Sequence, residues 1–199
     1  MLAFLGRVLH EASDSRNRLL DRFAFLGIVA SNLDEFYGVR VSGIQEQRAA
    51  GVERPGLDGM LPDELLDRIA TSADALVDAE QATWRILVEE LGREGETLVT
   101  WNELGPADRS AARERFVREI LPVLTPLAVD PGHPFPFISS LSLSLAIRLS
   151  DPERGEERFA RVKVPGNIGR VVRCGDGNLI LVDRKSTRLN SSHANISYA

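Results

Sequence analysis

Asn32 stands within an otherwise largely apolar run, Phe25 to Ile44 (FLGIVASNLDEFYGVRVSGI). A primary amide both donates and accepts hydrogen bonds. Left unpaired in a buried place it costs about 1–3 kcal/mol, so either the fold or a ligand must supply partners. The residues alone leave both readings open and favour the amide satisfied by its own fold. Asp34 and Glu35 follow closely, but neighbours on a helix point about 100° apart. They do not form a paired-carboxylate site, and Asp34 reads as one half of a structural salt link. On a regular helix Arg40 lies two turns past Asn32 and about 80° around, where it reaches either a phosphate or a helix carboxylate.

The other reactive residue types are isolated. His10 lies on an amphipathic segment and faces solvent; His133 belongs to the proline-locked HPFPF; His193 falls in a terminal stretch of foreign composition. None has a second histidine or a cysteine at ligand spacing. Ser139 to Ser144 have no nucleophile elbow or nearby base, and Cys174 reads as a small apolar residue at a strand end. No phosphate-binding glycine loop, GxGxxG or HExxH occurs. Residue types and spacing therefore supply no catalytic set and no metal ligands.

Helices must position Asn32. Leu2, Leu5, Val8 and Leu9 mark a short amphipathic helix over 2–12. Asp14 or Ser15 offers an N-cap for a second helix from about residue 16 to Ala50, bending at Gly27 or Gly43. At about 100° per residue, Leu19, Phe23, Leu26, Ala30, Leu33, Tyr37, Val41 and Ile44 form one stripe. Phe25, Ile28, Asn32, Phe36 and Val39 form another, roughly opposite, so the helix is expected to be sandwiched. Residues 51–61 read as a loop, and Pro62 opens a third helix to about 95. Its seam is Leu65, Ile69, Ala73, Leu76, Ala79, Thr83 and Ile86.

After a hinge at Asn102 to Pro106 comes a helix over 107–120, then LPVLTPLAVDPGHPFPF, whose prolines exclude regular helix and central strand. Period-two alternation then marks strands at 140–150 and 158–165, with VVRC (171–174) and NLILV (178–182) following. The turns Asp151–Gly155 and Gly175–Gly177 suit hairpins. The expected class is α+β: an antiparallel helical hairpin or bundle over 1–104, then an incomplete mixed α+β domain over 105–182.

The chain carries 24 basic and 29 acidic side chains, a net charge of −5, in 199 residues. Nothing in that balance favours nucleic acid as a partner. No apolar run reaches the ~20 residues of a membrane span, and the N-terminus lacks a basic leader. One cysteine excludes an internal disulfide, and the cytoplasm is the expected compartment. Residues 184–199, RKSTRLNSSHANISYA, hold three basic residues and no acid. This stretch resembles a translated adapter peptide that recurs at the ends of unrelated conceptual proteins. Residues 183–199 are accordingly expected to be a non-native tail.

LAFLGRVLHEASDSRNRLLDRFAFLGIVASNLDEFYGVRVSGI (2–44) resembles the N-terminal domain of the long-form, phosphohistidine-type polyphosphate kinases. The likeness continues through ILPVLTPLAVDPGHPFPFISSLSLSLAI and RFARVKVP, which resemble the start of that family's head domain, and covers about residues 2–182. The resemblance implies an enzyme that moves the terminal phosphate of ATP reversibly onto polyphosphate, using Mg²⁺ and a covalent phosphohistidine. It implies that Asn32, the asparagine of SNLDEF, binds the nucleotide, which reverses the reading from residues alone. It also implies homo-oligomers, and a cytoplasmic enzyme with an option of peripheral attachment to the inner membrane. The family's histidine nucleophile and magnesium ligands match no residue here, so this stretch alone is expected not to turn over. The competing class is a non-catalytic helical module that binds a partner protein.

Overall fold

The computed structural model describes residues 1–199 except 57–58, 130–131, 133–134, 140–141, 152–155, 182–193 and 196–199. His133, His193 and most of the terminal tail lie outside the described residues. The chain divides into two compact units, Met1–Glu94 and Gly95–Ala199, and the class is α+β.

The first unit is helical. Helix α1 (Leu2–Ser13) packs on α2 (Leu19–Glu35) and on α4 (Pro62–Arg93), and α3 (Ser42–Ala49) also packs on α4. A π-helical segment, Phe36–Val41, joins α2 to α3 without a break. The bend expected at Gly27 or Gly43 is replaced by this widened turn around Gly38. Asp14 is not a cap for α2. Its carboxylate takes the Arg16 backbone N–H at 2.9 Å and pairs with the Arg16 guanidinium at 2.5 Å. The helix begins later, after Arg18. Pro62 opens α4 as expected, and Glu64 reaches back to the Leu61 N–H at 3.1 Å, closing half of a capping box.

Burial corrects the two-stripe picture. The covered residues of α2 are Arg22, Leu26, Val29 and Leu33, continued by Phe36 and Val41. Leu26 and Leu33 come from one expected stripe and Phe36 from the other; Arg22 and Val29 lie between them. The helix therefore buries one broad arc, while Ile28 and Val39 stay 43% and 67% exposed. On α4 the seam holds Ala73, Leu76, Thr83 and Leu87, whereas Ile86 and Ala79 face outward. Among the described residues, Arg22 is the one charged group buried in this unit's core. It donates to Ala12 O at 2.8 Å and makes a two-pronged contact with Glu90 at 2.6 and 3.3 Å, tying α1, α2 and α4 together. Fork-to-carboxylate geometry of this kind fixes orientation as well as distance.

The second unit opens with β1 (Thr97–Leu98), followed by α5 (Pro106–Arg115), whose last turns loosen into π and 3₁₀ geometry. Strands β2 (Pro126–Val129), β3 (Ser144–Asp151) and β4 (Glu156–Lys163) form an antiparallel sheet ordered β2-β4-β3-β7, where β7 is Ala194–Asn195. β5 (Val171–Arg173) and β6 (Asn178–Leu181) make a hairpin that β1 joins in parallel. Pro126 sits at the first position of an edge strand, where its missing N–H costs no ladder bond. Gly177 turns the β5–β6 hairpin with φ of 80°, and a Cβ there would collide with Gly95 O. Arg161, 5% exposed, donates to Ser144 Oγ and Phe137 O, pinning the proline-rich stretch to the sheet.

Candidate functional site

Asn32 occupies the last turn of α2, half-buried. Its Nδ2 donates to Ile28 O, one turn back, at 2.8 Å. That leaves a second N–H, and no partner stands at Oδ1 among the described residues. The amide is thus neither locked in the core nor fully solvated. It lies at the edge of the covered arc, beside exposed Ile28.

The π segment decides what shares this face. Along a continuous α-helix Arg40 falls near the middle of the buried arc, between the directions of Val29 and Leu33. Absorbing one extra residue turns everything beyond it back by about 100°. The buried series steps from Leu33 to Phe36 and then five residues to Val41, which is the signature of that extra residue. Val41 takes the inward direction. Arg40 instead swings out to within about 20° of Asn32, not the 80° a regular helix gives.

Asp34 makes no ion pair among the described residues, contrary to the salt link expected of it. Its negative charge instead acts on Glu80 of α4. Burial first, and then the Asp34 carboxylate, push the Glu80 pKa upward. No ion pair holds Arg40 among the described residues, so the helix-carboxylate alternative does not apply to it.

Arg40 lines a cleft of about 510 Å³ within the first unit, a size at which small-molecule ligands are bound. Phe36, Ile44, Gln47, Arg68 and Ser72 also contribute to its walls, and Asn32 does not. Arg68, Gln47 and Ser72 had no distinguishing signal in the sequence: each is an ordinary polar residue on a helix flank.

In the second unit, the serines of 139–144 that the structure describes serve the fold. Ser144 Oγ accepts from Arg161 at 3.1 Å, Ser139 Oγ accepts from Lys163 at 3.3 Å, and Ser142 Oγ donates to Ser139 O at 2.6 Å. Cys174 is half-buried and packs against the core cluster that contains Leu104, Phe116 and Ile180. His10 is exposed on α1. Among the described residues no three His, Cys, Asp or Glu side chains gather to hold a metal. No described helix is long and apolar enough to cross a membrane.

A helical unit followed by small sheets, one antiparallel and one mixed, matches two consecutive domains of one class of kinase. The family model described as polyphosphate kinase N-terminal domain matches residues 1–99, and that of the polyphosphate kinase middle domain matches 107–185. The chain belongs to the polyphosphate kinase family. It is 46% identical over 175 residues to a polyphosphate kinase of Mycobacterium marinum, covering 87% of this chain and 24% of the relative. Identity is also 46% over 172 residues to that of Thermosynechococcus vestitus, covering 86% and 24%. The crystal structure of polyphosphate kinase from Porphyromonas gingivalis superposes with a TM-score of 0.78 at 25% identity, over 99% of this chain and 30% of that one. The chain spans about a quarter of the length of these curated relatives.

Proposed function

We propose that these residues form the nucleotide-facing part of an enzyme that transfers the terminal phosphate of ATP reversibly to inorganic polyphosphate, and that Asn32 contacts the nucleotide. The observation that carries this reading is the state of the amide. One donor is spent on Ile28 O, while a second donor and an acceptor stay available on a half-buried face. Such a group can pair with a base edge or a phosphate without first breaking a core contact. A phosphohistidine, Mg²⁺, a cytoplasmic location and homo-oligomers belong to the same reading through the family resemblance. The histidine and the metal are not assigned to residues here.

ATP titration of the chain tests the role of Asn32. Asn32→Ala removes about one neutral hydrogen bond, roughly 0.5–1.5 kcal/mol, and so weakens ATP binding about two- to tenfold with melting unchanged. Equal affinity in both proteins would overturn the assignment. A second reading, a helical module that binds another polypeptide, is favoured by the exposed Ile28, Tyr37 and Val39 around the same face. It is distinguished by an absence of ATP binding in the unaltered chain.

A further inference from the structure

We propose that the cleft holding Arg40 and Arg68 is an oxyanion site for a chain of phosphates, built entirely within the first unit. It is separate from the Asn32 contact and does not depend on it, since Asn32 does not line the cleft. Two guanidinium groups, the Gln47 amide and the Ser72 hydroxyl are its polar lining, and no carboxylate is among its walls. Ser72 Oγ donates to Arg68 O at 2.9 Å and still has a lone pair to offer, while Arg68 touches the Met60 sulfur at 3.8 Å through one nitrogen only. Its remaining N–H donors are not spent on an ion pair among the described residues, and the same holds for Arg40.

Two carboxylates in the first turn of α4 are engaged elsewhere. Asp63 faces Arg48 at 3.8 Å, and Glu64 takes the Leu61 N–H. The rest of the wall is apolar, including Phe36 and Ile44. A cleft with one sign of charge and low-dielectric walls concentrates counter-ions, and guanidinium forks match phosphate oxygens in pairs. The chain as a whole is acidic, at −5, so its net charge gives a polyanion no general attraction and binding must come from a local cluster. The π segment is what makes the site: with a regular helix Arg40 would point into the core, and the cleft would keep a single arginine.

The chemistry names a linear phosphate chain and leaves two sources, the triphosphate of a nucleotide or inorganic polyphosphate. Calorimetric titration of the full chain with sodium tripolyphosphate at low salt tests the site, with ATP as the second arm. Arg40→Gln and Arg68→Gln are each expected to weaken tripolyphosphate binding about tenfold or more, with unchanged thermal melting. Arg85→Gln, on an exposed part of α4 away from the cleft, is expected to leave it unchanged. Arg40→Lys keeps the charge and restores most of the affinity, which separates loss of the anion contact from loss of folding. Competition by ATP for the same two arginines identifies the nucleotide tail as an occupant; tripolyphosphate binding that ATP does not displace identifies the inorganic chain. Both support the site. Tripolyphosphate that fails to bind at millimolar concentration, or that binds all four variants alike, overturns it. Asn32→Ala is expected to leave tripolyphosphate binding intact, so failure of this site and failure of the Asn32 assignment give different results.

Discussion

Glu80 shows how a single residue reports on the packing around it. It sits half-buried in the α4 seam where the sequence suggested Ala79, and it feels the charge of Asp34. An apolar-only reading of the seam prefers alanine over glutamate, yet the register set by Leu76, Thr83 and Leu87 requires position 80 to turn inward. Burial and the like charge raise the folded-state pKa above the unfolded value, so the folded chain holds the extra proton more tightly. Stability therefore falls as pH rises through the interval between the ordinary and the raised value, and stays lower above it. Glu80→Gln is expected to raise the melting temperature at pH 7, with the gain vanishing once the pH falls below the usual carboxylate range. A lower melting temperature for the variant at pH 7 would show that the carboxylate has a stabilising partner. Asn32 is the opposite case at this scale: its type and neighbours were legible, but its half-exposed setting was not, because the buried arc is centred on Arg22 and Val29. Arginine at the centre of an arc is invisible to hydrophobic patterning.

At the scale of elements, the π segment carries the argument. Periodicity of 100° per residue describes α1, α4 and α2 up to Phe36, and those helices were readable within a few residues. It cannot anticipate one absorbed residue, and the change of phase at Val41 leaves no mark in composition. The strands β3 to β6 were legible from alternation and turn residues; β1 and β7, two residues each, are too short to alternate. Deletion of one residue separates the two helical geometries. Removing Gly38 takes out the extra residue while keeping Val41 inward and Arg40 outward, so stability should stay within about 1 kcal/mol of the parent. Gly is the poorest helix former after proline, which favours tolerance further. Removing Gly27 instead rotates Val29, Leu33 and Phe36 out of the core. Each such side chain contributes about 1.5–3 kcal/mol when fully buried, so this deletion should unfold the first unit. Thermal melting followed by circular dichroism gives the answer; equal damage from both deletions would mean that the widened turn is not what sets the register.

For the whole molecule, the family is carried by two consecutive domain matches and by similarity across most of the chain, while the chemistry of phosphate transfer is carried by the proposal. The described residues include an amide, Asn32, and two arginines, Arg40 and Arg68, on the helical frame of the first unit. The proposed nucleotide contact is therefore best tested in the full-length enzyme. The measurement is the ATP dependence of polyphosphate synthesis by the full-length enzyme bearing Asn32→Ala, with melting recorded in parallel. An apparent KM for ATP raised about two- to tenfold, with melting temperature held, is the result expected if one hydrogen bond to the nucleotide is lost. An unchanged KM together with a collapsed melting temperature would contradict the account and return Asn32 to the role of a core amide.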